Sequence, residues 1–225
     1  MARPSTLEDK RREFLPIVAG AFAELGYRRL TSAELALRCG VGENVLYRIW
    51  DDKRAMFVAA LEWVYIASER AWERLLAETP AGEGSFLRLL SYEAQHLGEH
   101  GLYRIVFAGL SETDDPEIRA AMRDLYGRFH AFIRRQISVH RGAQAQCALD
   151  AETAAWAIVG LGTVANVGRE LGLIGGERRE ALVWNAGRLL ADAAAPEARS
   201  RRSVAAAAKR RGGKAVRKRR TKKSN

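Results

Sequence analysis

The sequence predicts an all-α chain, and three observations lead there. Apolar residues recur at helical spacing along most of its length, while the two-residue alternation of strands is almost absent. Capping residues stand before several of these runs and glycines after them, which is how helices are punctuated. From Pro196 onward the chain is Ala, Arg, Lys and Gly, too poor in large apolar groups to build a core, so residues 198–225 are expected to form a disordered basic tail.

The elements follow in order. Phe14, Val18, Ala21, Phe22 and Leu25 make one stripe, and Gly26 supplies a left-handed end with Tyr27 placed to fold back. Pro16 removes a backbone donor, so the helix either bends there or residues 1–14 form a separate arm. Thr31-Ser-Ala-Glu34 reads as a capping box opening a second helix that stops at Gly40. A third runs from about Glu43 to Trp50. Asp51 or Asp52 caps a long fourth helix reaching about Glu78. The Pro80–Gly84 segment is a boundary. Further helices are expected near 85–100, 102–112, 116–140, 151–171 and 178–194, with Pro116 at a helix N1 after Asp115.

The charge divides unevenly. The 225-residue chain carries a formal +10, with 37 basic and 27 acidic groups. Thirteen of the cations, and no acid, lie in 199–225, so the part expected to fold is mildly acidic at −3. Two cysteines, Cys39 and Cys147, stand far apart in no metal-ligand spacing; this suits a reducing compartment, with one long-range disulfide as the alternative. The N-terminus has no secretory apolar run, and Ala154–Val167, the most apolar stretch, is too short to cross a bilayer. A cytoplasmic protein with no membrane partner is expected.

The short third helix carries the functional signal. Val45, Leu46, Ile49 and Trp50 share one face; Glu43, Asn44, Tyr47 and Arg48 share the other. Two helical turns cannot stand alone, so the apolar face must rest on the first two helices and the polar ridge must face outward. With the preceding helix and the glycine turn this makes a helix-turn-helix over 31–50, whose second helix can enter a major groove. Asn44 suits adenine, Arg48 guanine, and Glu43 the amino group of cytosine, while Tyr47 reaches a phosphate or a thymine methyl. Lys53 stands where a helix dipole repels a cation, and a phosphate on that N-terminus reconciles the two. Thr31 and Ser32 can donate to another phosphate. A solvated amphipathic hairpin is the bland alternative.

TSAELALRCGVGENVLYRIWDDKRAMF, Thr31–Phe57, resembles the DNA-binding segment of the tetracycline-repressor (TetR) family of bacterial regulators. The matching residues are Phe22 through Gly26-Tyr27, the Thr-Ser opening, Leu35-Ala36, Gly40-Val41, Leu46-Tyr47, Trp50, Lys53 and Phe57. The resemblance covers about the first 65 residues. Three positions depart from it. Gly42 replaces a capping hydroxyl or acid, Ile49 an aromatic or imidazole ring that touches the DNA backbone, and Glu43 a basic or neutral residue. No relative's operator therefore transfers. The resemblance implies a DNA-binding domain over 8–68 and an all-helical effector-binding and dimerisation domain over 80–197.

Other motifs are set aside. Gly160-Leu-Gly162-Thr-Val-Ala165 fits a dinucleotide fingerprint but lies in continuous helix with too little chain after it for such a domain. Ala157, Gly160, Val164 and Gly168 read instead as a small-residue stripe for close helix approach, with burial inside the monomer as the alternative. By resemblance this helix and the last one, through Leu182 and Leu189, form the interface of a homodimer. His96 and His100 have chelating spacing but no third ligand, so no metal or cofactor is expected. Nucleophilic catalysis lacks a signature, and no enzymatic activity is expected. Tyr92, His96, Tyr103, Phe107, Phe129, Trp156 and Asn166, with His130 as a further polar candidate, are expected to line a cavity for a small apolar or amphipathic effector.

The function expected is a DNA-binding transcriptional regulator, a repressor released from a double-stranded operator by an effector. The alternative, suggested by the tail, is a nucleoid-associated DNA-coating protein with little sequence preference.

Overall fold

The computed structural model describes residues 6–78, 84–98, 101–142 and 148–192; the basic tail, the 80–83 boundary, His100 and Cys147 lie outside them. Among the described residues there are nine α-helices and no strand.

The first helix, α1 (Leu7–Arg29), starts earlier than the apolar stripe suggests. Thr6 accepts from the Asp9 amide while the Asp9 carboxylate accepts from the Thr6 amide, a capping box the sequence reading overlooked. Among the described residues there is no separate arm, because α1 runs through Pro16. Pro16 and Arg12 are exposed, so water can serve the carbonyl that loses its partner. Near its end Gly26 takes φ +74°, a conformation that side chains resist, and the chain turns so that Tyr27 stacks on Phe22 at 6.2 Å and meets Phe57 at 4.9 Å.

The second helix, α2 (Ser32–Arg38), is capped by Thr31, but the box is half formed. Glu34 turns away to Arg38 at 2.8 Å, and Arg38 also grips Glu24 of α1 at 2.6 Å. The helix closes with a Schellman pair: Val41 N–H donates to Ala36 O at 3.0 Å and Gly40 N–H to Leu37 O at 3.1 Å, with Gly40 at φ +67°. The third helix, α3 (Glu43–Tyr47), is shorter than expected and ends with Arg48 as its cap. The fourth, α4 (Lys53–Ala77), is the long connecting helix; Asp52 caps it through the Ala55 amide at 2.7 Å.

The second half comprises α5 (Ser85–His96), α6 (Tyr103–Leu110), α7 (Pro116–Arg141), α8 (Ala151–Glu170) and α9 (Gly176–Asp192). Asp115 caps α7 just before Pro116, as expected. Arg141, buried at the end of α7, spends its guanidinium on the carbonyls of Leu149, Leu190 and Ala191.

One hydrophobic cluster joins α1, α2, α3 and α4 to α6 and α7: Phe22, Leu35, Leu46 and Phe57 belong to it, and so do Ile105, Ile118 and Met122. A second is built from α5, α7, α8 and α9 around Phe86, Leu90, Ile137 and Ala155. Between them lies a cavity.

Candidate nucleic-acid interface and internal cavity

The backing of α3 follows its sequence. Leu46 is fully buried and Trp50 nearly so, with Val45 and Ile49 half-buried; Glu43, Asn44, Tyr47 and Arg48 are exposed. Burying Leu46 and Trp50 contributes roughly 1.5–3 kcal/mol each, which fixes a helix too short to form alone. Gly42 caps α3 with no side-chain bond, and the Asn44 side chain lies over it: a Cβ at Gly42 would stand 2.8 Å from Asn44 Oδ1.

Two ridge residues do more than face outward. The Tyr47 hydroxyl donates to Ser32 Oγ at 2.7 Å, tying α3 to the start of α2. Ser32 accepts that bond and Thr31 Oγ1 accepts from Glu34, so each hydroxyl keeps its own proton to give.

Lys53 requires a correction. Its ammonium is half-buried and donates to Tyr27 O at 3.1 Å and Leu30 O at 3.2 Å, and it lies 4.6 Å from the centre of the Tyr27 ring. Its position at a helix start is therefore stabilising without any phosphate: carbonyls at the end of α1 and the ring's negative face answer the charge. One of its three protons is left to reach outward.

Salt links cross from this region into the second half. Arg28 meets Glu112 at 2.8 Å, and Arg54 meets Glu117 at 3.1 Å and Asp115 at 3.6 Å. Each has at least one partner substantially open to solvent and contributes about 1 kcal/mol or less. The hydrogen bond and charge of Glu112 hold the Arg28 guanidinium above its ordinary pKa, and backbone amides of α7 hold the Asp115 carboxyl below its own.

The cavity encloses about 740 Å³, within the usual range for small-molecule sites. Tyr92, His96, Tyr103, Phe107, Phe129 and Asn166 line it, bringing together six of the seven residues expected there. Trp156 is elsewhere: it is 48% exposed and stacks on His130 at 4.4 Å, outside the cavity, and His130 itself bonds Glu152 O. Trp72 and Phe132 line it as well, and Glu93 and Gln136 are lining residues that the sequence did not suggest. Trp72 stacks on Phe132 at 4.5 Å and donates from Nε1 to Glu93. Burial pushes the Glu93 carboxyl pKa up, against the lowering effect of the Trp72 bond and of His96. Asn166 is buried, and among the described residues its Oδ1 has no hydrogen-bond partner. A usable signal for Glu93 existed, since Phe86, Leu89, Leu90, Glu93 and Leu97 fall at 0, +3, +4, +7 and +11. An acid in an apolar stripe is an acid pointed inward.

The expected interface stripe divides. Gly160 and Val164 are exposed, and a Cβ at Gly160 would meet nothing within 4 Å; Ala157 is half-buried. Gly168 turns inward, where a Cβ would stand 2.6 Å from the Ile174 side chain, so its lack of a side chain serves the monomer's own packing. Trp156, Gly160, Val164, Val167 and Leu171 instead form an exposed row on α8 at 0, +4, +8, +11 and +15. On α9 Leu189 is 74% exposed and Leu182 half-buried. Among the described residues no helix is long and apolar enough to cross a membrane, and no three metal-ligating side chains cluster.

A helix-turn-helix is thus packed into a larger all-helical body that holds an aromatic-lined cavity. Residues 19–60 match the family model described as bacterial regulatory proteins, tetR family. The fold agrees with solved structures across most of their length. A Rhodococcus sp. protein assigned to the TetR family matches at TM-score 0.69 and 20% identity, over 81% of this chain and 98% of that one. A Saccharomonospora viridis structure in complex with choline matches at 0.67 and 17%, over 81% and 96%. Bacillus subtilis FadR in complex with stearoyl-CoA matches at 0.64 and 14%, over 81% and 98%. A search of curated protein sequences finds no significant match. Residues 19–60 are therefore similar to a TetR-type DNA-binding segment, and the described fold as a whole is that of the solved structures it matches.

Proposed function

We propose that the chain is a homodimeric repressor that occupies a double-stranded operator through α3 and is released when a small amphipathic molecule enters the cavity. The observation that carries the DNA contact is the two-sided α3, with Glu43, Asn44, Tyr47 and Arg48 exposed above buried Leu46 and Trp50. Asn44 and Arg48 suit adenine and guanine edges, and Glu43 suits cytosine. The free protons of Thr31, Ser32 and Lys53, with the Gly42 backbone, suit phosphates that set the register. This reading places the protein on chromosomal DNA in the cytoplasm.

The exposed α8 row with Leu182 and Leu189 of α9 supports pairing of two copies through these helices, as the family resemblance implies. Release requires that the effector prefer a DNA-incompetent state. Helix α4 links the two events: Lys53 stands at the α3 end, and Trp72, roughly 28 Å along the helix, stands in the cavity wall. The choline and stearoyl-CoA of its fold neighbours differ so widely that the fold does not choose the effector; the lining of this cavity does.

The test is operator selection from random duplexes followed by titration. Arg48→Ala is expected to lose about 1–3 kcal/mol and to relax preference at one base. Tyr47→Ala is expected to weaken all duplexes. Unchanged affinity in both variants would reject the groove-reading face. Binding that excess random DNA abolishes would instead favour the coating-protein reading.

A further inference from the structure

Among the described residues one acid, Glu93, borders the cavity. Glu93 projects from α5 into a space walled by Trp72, Phe107, Phe129 and Phe132. Its Oε1 accepts from Trp72 Nε1, and none of the ion pairs among the described residues includes it. A carboxylate deep in an apolar body with a single neutral donor is costly unless something else answers it. Among the described residues none of the other charged or titratable groups bordering the cavity forms an ion pair with it, and His96 is near enough only to oppose the rise of its pKa. Arg74 of α4 is at the exposed rim and donates to Arg70 O of its own helix; His96 of α5 is stacked on Tyr92, with Nδ1 directed at the Tyr92 carbonyl. Tyr103 of α6 gives its hydroxyl to Glu170, Tyr126 comes from α7, and α8 contributes the uncharged Thr163 and Asn166.

The surrounding rings suit the same partner. Aromatic faces attract cations, most strongly where water is excluded. Rings of this fold already do so: the Arg128 guanidinium lies 3.9 Å from the Tyr65 ring centre, and Arg135 lies 5.4 Å from that of Phe132, itself a wall of the cavity. Asn166 Oδ1, a buried acceptor with no donor among the described residues, adds a second polar point that prefers a donor or a positive group.

We propose that the cavity binds an organic cation, an amphipathic ammonium or aromatic amine whose charge rests against Glu93 and whose apolar body lies among Trp72, Phe107, Phe129 and Phe132. This rests on the reading of the cavity as the effector site and adds its charge.

The experiment uses the full-length protein and three probes of one shape: 6-phenylhexyltrimethylammonium, 6-phenylhexanol and 6-phenylhexanoate. Binding is read by calorimetry and by quenching of Trp72 and its neighbours. The wild type is expected to hold the cation more tightly than the alcohol, and the alcohol more tightly than the carboxylate. Glu93→Gln keeps an acceptor for Trp72 but removes the charge, and is expected to weaken the cation by at least about tenfold while leaving the alcohol within about threefold. The alcohol titration also reports whether the variant's cavity is intact, and the wild-type ranking does not depend on the variant. Tighter binding of the alcohol or carboxylate by the wild type, or equal cation affinity in Glu93→Gln, overturns the cation assignment and leaves the effector site standing. If none of the three binds, both fall.

Discussion

Gly160→Leu tests the proposed dimer through a position where the monomer has nothing to lose. A Cβ there meets no atom within 4 Å, so the added side chain enters open space in the isolated chain. Replacing a helical glycine by leucine also removes most of its propensity penalty, a gain of about 0.6–0.8 kcal/mol in monomer stability. In a two-fold dimer closed across α8, however, the substitution occurs twice in one interface. If each copy overpacks by about 1–3 kcal/mol, dimerisation loses roughly 2–6 kcal/mol, or between about thirtyfold and about 10⁴-fold in dissociation constant. Sedimentation velocity over a concentration series reads this directly, and circular dichroism melts check the fold. The expected result is a folded monomer at concentrations where the wild type is paired. The control is Gly168→Ala, eight residues along the same helix, where a Cβ would stand 2.6 Å from Ile174. That variant is expected to lower the melting temperature without selectively dissociating the dimer. A Gly160→Leu protein as dimeric as the wild type would refute the α8 interface, because the monomer offers no compensating contact.

Three further outcomes follow from particular contacts. Lys53→Met removes both carbonyl bonds at the end of α1 and is expected to destabilise the fold by about 1–3 kcal/mol, seen in denaturant midpoints, besides weakening DNA binding. Because burial raises the folded-state pKa of Glu93, the native protein holds a proton that the unfolded chain releases, and this residue's contribution to stability falls as pH rises. Glu93→Gln is therefore expected to melt higher than wild type above the raised pKa, with the advantage vanishing below the unfolded carboxyl pKa near about 4.3; melts across pH 4–8 read it. Truncation after Ala198 removes thirteen cations and is expected to flatten log K against log salt by roughly 0.9 per phosphate released, on operator and random duplex alike.

What the sequence made legible was local, and what it hid was distant in the chain. The faces of α3 could be sorted because eight consecutive residues carry both its apolar backing and its polar ridge. The structural role of Lys53 could not, since its acceptors at Tyr27 and Leu30 come from the end of another helix. Gly168 looked like part of a surface stripe until the turn after α8 brought Ile174 against it, and Trp156 looked like lining because an aromatic's burial depends on which neighbours cover it. Glu93 was the recoverable miss, since its phase in the α5 stripe already pointed inward.

The hydrophobic cluster that runs from Phe22 and Leu46 to Ile105, Ile118 and Met122 has a consequence for how such proteins are recombined. A cut between a reading head and a sensing body at residue 68 would leave Leu61 and Val64 on one fragment and their covering partners on the other. Grafting this head onto a relative's body therefore requires transplanting the seam as well: Ile105, Ile118, Met122 and Leu125 must travel with it or be matched in volume, since a single buried methylene is felt in a close-packed interior. If α3 reads the groove as proposed, exchange of specificity is then simplest within its exposed residues, where Asn44, Tyr47 and Arg48 can vary while Leu46 and Trp50 stay in place.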